Sequence, residues 1–320
     1  MGDIHNPYTF SIIIPHKNIP TLLERCVASI PDRKDIQIIV VDDNSEQKFD
    51  AQEIKKLCIN CLFNFVQIQE SKGAGKARNE GLKIALGQWI FFADADDFFN
   101  PCFEDRIDYY KDSCNDIVFF KANSVDTDYY TLSDRADHLC KYIDLYNEDK
   151  KKSINMLKYY FGEPWSKMIK KSLLDQHNIT FDEISIHNDT TFSLLCGHYA
   201  KNIAVDKFAV YCVTTRKDSV SYHFTDEKLL TRIDVFSKVD RFFDVNNIPL
   251  KKIKRHFISL LYFYFHNRTY YQKGVELMKN NGLSSIYIFR SLIFNFPYYI
   301  GYQNRVMSKK LLGKLNKLIQ

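Results

Sequence analysis

Trp89-Ile90-Phe91-Phe92-Ala93-Asp94-Ala95-Asp96-Asp97 is the stretch on which the fold turns. An unbroken apolar run of this length, bounded by polar residues, suits a strand covered on both faces. It stops at three acids in four residues. Carboxylates at i and i+2 on a chain leaving a strand point to one side, and the cluster repels itself unless a cation or hydrogen-bond donors neutralise it. A hard divalent ion bridging a diphosphate would do so. The alternative is a solvated acidic turn in which Asp97 caps a helix starting near Pro101.

The same pattern repeats on either side of this stretch. Phe10 to Ile14 is a β-branched run stopped by Pro15, and Leu22 to Ile30 then has helical spacing. Ile36 to Val41 is a second buried run, closed by Asp42-Asp43-Asn44-Ser45. A helical stretch from Ala51 to Cys61, a strand from Phe63 to Ile68 and a helix from Lys76 to Leu86 lead back to Trp89. Strands alternating with helices, each strand continuously apolar, predict an α/β fold with a mainly parallel sheet flanked by helices. In such sheets ligands sit beyond the carboxyl ends of the strands. The polar clusters Pro15-His16-Lys17-Asn18, Asp42 to Ser45 and Asp94 to Asp97 all follow strands, so they gather on that edge. Farther along, Asp116 to Ala122 reads as a strand and the charged segment Ser124 to Lys152 as an insertion or variable loop. Met168 to Leu174, a helix over Asp189 to Tyr199 and a strand over Ile203 to Val213 follow, and the pattern beyond Phe224 is helical.

Composition narrows the function classes. The 320 residues are 45% hydrophobic and 15% aromatic, enough to bury a large core, and the net charge of +5 does not announce a nucleic-acid partner. The start, Met1 to Tyr8, has no apolar segment behind a basic one, and the apolar stretch Phe257 to Phe265 is about half the roughly 20 residues of a membrane span. A cytoplasmic protein is expected. Eight scattered cysteines suit a reducing compartment. Cys58 and Cys61 form a C-x-x-C with no second pair at zinc-site spacing, and are read as two ordinary thiols on a helix face.

Two further clusters carry chemistry. Asp42-Asp43 is either a helix-capping turn or, at the ligand edge, an acceptor for a nucleobase N–H. Lys72-Gly73-Ala74-Gly75-Lys76-Ala77-Arg78-Asn79 places glycines and three cations before a helix, which suits an anion. It is neither a Rossmann nor a Walker loop.

Together these motifs resemble the family two glycosyltransferases of the GT-A fold, of the inverting type common in bacterial polysaccharide biosynthesis. The resemblance is carried by Phe10 to Pro15, Val40 to Ser45, Gly75 to Gly81, and Trp89 to Asp97 with Pro101. It continues through Trp165-Ser166-Lys167, Ile179 to Phe181, His187-Asn188-Asp189 with Phe192, and Tyr211, Arg216, Ser219 and Ser221. It covers roughly residues 8 to 224, and implies a catalytic domain over 1–224 with donor binding in about 8–123, an acceptor side in about 153–224, and a helical appendage over 225–320. It implies that Pro15, Asp43 and Asp42 line the base pocket, that Lys72 and Arg78 face the donor, that Asp94 meets the ribose or the metal, and that Asp96 ligates Mn2+ or Mg2+ across the diphosphate. Asp189 is the implied catalytic base. The family commonly has two acids there, and Asn188-Asp189 leaves one carboxylate to act alone. Trp165 is read either as an acceptor-stacking ring or as a buried aromatic. Lys167 and Arg216 are candidate surface cations for phosphate, and His223 is either a further metal ligand or a loop histidine.

The implied reaction is transfer of a sugar from a nucleotide-diphospho-sugar, UDP favoured, to a hydroxyl of a saccharide or polyprenyl-diphosphate-linked acceptor. Direct displacement would invert the anomeric centre. A catalytically silent nucleotide-sugar-binding protein is the competing reading. A nucleotidyltransferase would need a glycine-rich loop after its first strand, and a phosphatase with an aspartate nucleophile would carry its acids there.

The charge is unevenly distributed. Residues 251–320 hold 13 Lys and Arg against one acid, Glu276, so this stretch carries +12 and the preceding 250 residues −7. With its Phe and Tyr, it suits either peripheral contact with an anionic membrane or a helical appendage with a solvated basic face.

Overall fold

The computed structural model describes residues 7–47, 50–216, 225–248 and 255–319, without the side chains of 255, 302 and 304–319. The chain divides into two compact units, Met1–Tyr222 and His223–Gln320.

In the first unit β1 (Phe10–His16), β2 (Ile36–Asp42) and β4 (Trp89–Phe92) are buried along nearly their whole length, as runs apolar on both faces require. β3 (Leu62–Gln67) pairs with β2. Between them lie α1 (Pro20–Ala28), α2 (Ala51–Lys55) and α3 (Gly73–Ile84). After β4 come β5 (Phe98–Phe99), α4 (Phe103–Tyr110), β6 (Ile117–Asp126), α5 (Asp137–Asp144), α6 (Lys150–Tyr159), β7 (Lys167–Lys170), α7 (Lys171–His177), α8 (Thr190–Tyr199) and β8 (Ile203–Thr215). The sheet order is β3-β2-β1-β4-β7-β6-β8-β5. Among the described residues only β7 and β5 run against the others, so β1, β2, β3, β4, β6 and β8 end on one edge. Pro15, which has no N–H to give, lies past the last β1–β4 pair, Ile13 with Phe92, where β1 has no β4 neighbour to satisfy.

Three expectations are corrected. Of the two readings of Ser124 to Lys152, an insertion or a variable loop, the loop does not hold: β6 extends to Asp126, a hairpin returns through the Val125–Leu132 bridge, and α5 buries Leu139 and Ile143 in the core. α2 stops at Lys55, so Cys58 and Cys61 lie beyond it as buried free thiols whose pKa values desolvation pushes up to about 11 and about 12. α3 begins at Gly73, three residues early, where a φ of +83° that glycine adopts freely turns the chain into the helix.

The second unit is helical, as expected: α9 (Asp226–Val245), α10 (Arg255–His266), α11 (Arg268–Asn280) and α12 (Ser285–Ile319). Side chains of Thr225 and Asn267 cap α9 and α11. Ile233, Phe257, Leu260, Phe263, Met278 and Ile288 form its core, and a buried Asp240 accepts from His256 at 3.1 Å and Tyr287 at 2.8 Å. Among the described residues no helix is long and apolar enough to cross a membrane.

Candidate active site

Strand direction puts the polar clusters on one edge, and hydrogen bonds set how each faces it. Asp43, at the end of β2, is 5% exposed; its carboxylate accepts from Ser71 Oγ (2.7 Å) and from the main-chain N–H groups of Lys72 (2.9 Å) and Gly73 (3.1 Å). The anion at the start of α3 is thus the chain's own Asp43. Asp42 turns inward: it accepts from Ser45 and, at 2.8 Å, from His16 Nδ1. Burial holds the His16 pKa below its ordinary value despite Asp42. The neutral ring can then accept the Ile19 N–H at Nε2 while donating from Nδ1. Asp42 therefore shapes the loop between β2 and α2. Pro15 is half-buried opposite Val41, and the exposed Lys72 side chain pairs with Glu70 at 3.7 Å.

Arg78 is the hub. Buried on α3, it donates from Nη2 to Asp94 Oδ1 at 2.6 Å and from Nη1 to Asn188 Oδ1 at 2.9 Å, while its Nε is buried without a hydrogen-bond partner. One guanidinium therefore ties the acids after β4 to the loop before α8. Gly75 lets this happen, since a Cβ there would stand 2.1 Å from the Asp182 carbonyl oxygen and 3.0 Å from Asn188 Cβ. Asn79 adds a two-way clamp, donating to the Phe181 carbonyl (3.0 Å) and accepting the Phe181 N–H (2.8 Å). Phe181 stacks on Phe192 of α8 at 3.9 Å and meets Phe92 of β4 edge-on. In the sequence Asn79 and Gly75 are legible only as parts of a motif, because their partners lie about a hundred residues away in the chain.

The three acids after β4 have different fates. The Asp94 and Asp96 side chains are 34% and 22% exposed, and Asp96 Oδ2 pairs with Arg216 Nε at 3.0 Å. Burial and the Asp94 charge push Asp96 above the usual carboxylate range, with Arg216 opposing them. Asp97 is buried, accepts the Thr214 N–H at 2.7 Å, and is pushed well above its ordinary value by burial and by its two neighbours. It does not cap α4, whose N-cap is Cys102.

Asp189 occupies the N-cap position of α8, yet its side chain makes no capping bond. Burial pushes its pKa up to about 6; Arg78 pulls it down while Glu163 and Asp94 push it up, so these groups share one electrostatic environment. Behind it, Lys167 is corrected from a surface cation to a buried one, donating to the Phe161 carbonyl (3.0 Å) and Ser193 Oγ (2.9 Å), with burial lowering its pKa to about 8. Trp165 resolves to the buried alternative: it is 2% exposed and stacks on Tyr211 at 5.9 Å. The Tyr211 hydroxyl accepts the Asp94 N–H at 2.8 Å, so Trp165 braces the acidic loop from behind. His223, Ser219 and Ser221 lie outside the described residues.

The family model for glycosyl transferase family 2 matches residues 11–178, more than half of the chain, and the chain belongs to that family. It is similar to the putative glycosyltransferase EpsH of Bacillus subtilis, 24% identical over 74% of this chain and 70% of EpsH. It is also similar to the poly(ribitol-phosphate) beta-N-acetylglucosaminyltransferase TarP of Staphylococcus aureus, 25% identical over 68% of this chain and 66% of TarP. A third relative, the glycosyltransferase GlyA of Streptococcus pneumoniae, is 24% identical, and there the match spans 36% of GlyA. Among solved structures, S. aureus TarS 1–349 in complex with UDP-GlcNAc superposes with a TM-score of 0.65 at 18% identity, covering 93% of this chain and 92% of that one. The fold is therefore GT-A-like, and the chain is a glycosyltransferase by family.

Proposed function

We propose that this glycosyltransferase moves a sugar from a nucleotide-diphospho-sugar, UDP favoured, to a hydroxyl of a saccharide or lipid-linked saccharide acceptor, inverting the anomeric centre. The observation that carries the reading is the Arg78 bridge, which ties Asp94 to Asn188, the neighbour of Asp189, at the edge where six strands end. Pro15 and Asp43 line the base pocket, with Asp42 supporting the loop. Lys72 and the orphaned Arg78 Nε face the donor's anionic part. TarP's name as a transferase to poly(ribitol-phosphate) and the UDP-GlcNAc complex of TarS favour such a donor and a polyol or glycan acceptor.

Asp94 and Asp96 fit a divalent ion. They are hard oxygen donors, partly exposed on one loop, and the Asp94 charge adds to burial in raising the Asp96 pKa against the pull of Arg216, so a cation placed between the two carboxylates would relieve their repulsion. Among the described residues no group of three or more His, Cys, Asp or Glu could hold an ion, so two protein ligands and donor oxygens would share it. Bound there, Mn2+ or Mg2+ would supply positive charge to the departing nucleoside diphosphate. Asp189 accepts the proton of the acceptor hydroxyl as that oxygen bonds to the anomeric carbon. The bond to the diphosphate oxygen breaks with its electron pair on the leaving group. A single attack from the face opposite the leaving group inverts the centre. When water replaces the acceptor, proton NMR of an α-configured UDP-sugar with manganese should show the β sugar first, before mutarotation. The α sugar appearing first would refute inversion, and no nucleoside diphosphate release from any donor would favour the silent binding protein.

For the second unit we propose peripheral contact with an anionic membrane. Its supports are the +12 charge of residues 251–320 and the exposed apolar side chains Ile286, Phe289, Ile293, Phe296 and Ile300, which recur at helical spacing on α12. The protein should sediment with phosphatidylglycerol-containing vesicles at low salt and not with pure phosphatidylcholine. Equal recovery from both would remove the membrane role.

A further inference from the structure

The hairpin after β6 carries three large side chains in water at the same sheet edge as the acids: Tyr129 is 80% exposed, Tyr130 54% and Leu132 86%. Other strongly exposed apolar residues of the first unit lie elsewhere, such as Ile59 ahead of β3. The turn is rigid. Asp126 Oδ1 accepts the N–H groups of Asp128 (2.9 Å) and Tyr129 (3.1 Å), Asp126 N–H reaches the Thr131 carbonyl (2.8 Å), and Thr127 N–H reaches the Thr215 carbonyl beside Arg216 (3.1 Å). Tyr130 is held at a φ of +54°, a conformation costly for a bulky residue and kept only where the surroundings enforce it.

Arg25 ties this hairpin to the acids. Its Nη2 donates to the Asp96 carbonyl and its Nη1 to the Tyr130 hydroxyl at 3.1 Å, and its guanidinium lies 5.2 Å from the Phe98 ring centre and 5.8 Å from that of Tyr130. A single side chain thus separates the Tyr130 ring from the main chain of Asp96. Resting on the glycosyl-transfer reading, we propose that Tyr129, Tyr130 and Leu132 are the platform on which a sugar ring of the acceptor stacks. Tyrosine offers an apolar face to the C–H face of a sugar ring and a hydroxyl to its rim, at a low ordering cost. Three side chains bury a few hundred Å² at most, using about 150–250 Å² per aromatic. That matches a sugar ring and falls short of the roughly 800 Å² per partner of a stable protein interface.

Saturation-transfer NMR on the full chain with UDP tests this, using the methyl glycosides of N-acetylglucosamine, glucose and galactose at millimolar concentration. Saturation should reach the ring C–H protons of at least one glycoside in the wild type and in Tyr129→Phe, and drop about fivefold or more in Tyr129→Ala, whose exposed position leaves the fold intact. No transfer to any glycoside in the wild type, or transfer unchanged in Tyr129→Ala, would overturn the platform. The UDP-GlcNAc thermal shift separates this from failure of the transferase reading: it should persist in Tyr129→Ala, whereas a chain that binds no donor would show none in any variant.

Discussion

Asp189→Asn is expected to lower sugar transfer by about 10²–10⁴-fold, the usual worth of a positioned proton acceptor, while the thermal shift given by donor stays close to wild type. The carboxamide keeps the size of the side chain at the start of α8 and removes its basicity, and since Asp189 makes no capping bond, none is lost. With Asn188 next to it, the adjacent position offers no second carboxylate. The base must be ionised to work, and burial pushes its pKa up to about 6. Wild-type activity should therefore fall as pH drops through about 6, two units above where an ordinary aspartate would impose that loss. An active Asp189→Asn enzyme, or a profile flat down to pH 4, would remove Asp189 from the base role.

Asp96→Asn should abolish the extra stabilisation that manganese gives to bound nucleotide-sugar. Even the outer partners of a metal site cost about 10–100-fold in affinity when removed, and a direct ligand should cost no less. The fold should tolerate the change. Burial and the Asp94 charge raise the Asp96 pKa against the pull of Arg216, so the charged form is disfavoured in the folded state and the melting temperature without ligand should not fall. A manganese increment that survives in Asp96→Asn would move the ion elsewhere.

What the sequence discloses and what it hides divide along a physical line. β1, β2 and β4 are legible because strands buried on both faces are apolar along most of their length, and their direction alone places Asp43, Asp94 and Asp96 on one edge. α5 is hidden because two residues, Leu139 and Ile143, carry its buried face amid charge. Lys167 and Trp165 show the same limit at the site. A lysine and a tryptophan in a motif suggest contact with substrate, and only the packing reveals that one anchors Phe161 and Ser193 and the other braces Tyr211. Arg78 is legible as a cation before a helix, but its bridge to Asn188 joins residues 110 positions apart. That bridge also gives the departure at Asn188 a physical sense. A neutral amide leaves the Arg78 charge to be shared by Asp94 and Asp189, where a second acid would have taken much of it.

The tyrosines of the β6 hairpin lie within a stretch that reads, in sequence, as a charged insertion or loop. Their significance comes from Arg25, which sits about a hundred residues earlier and contacts Tyr130 and Asp96 together.

If the edge formed by Asp43, Arg78, Asp94 and Asp96 holds a nucleotide-sugar with a divalent ion, the thermal shift of the wild-type chain must show it. A UDP-sugar at about a hundred times its dissociation constant should stabilise the fold by about 2.7 kcal/mol, and more with manganese than without. No shift from any UDP-, GDP- or dTDP-sugar, with or without manganese, would contradict it.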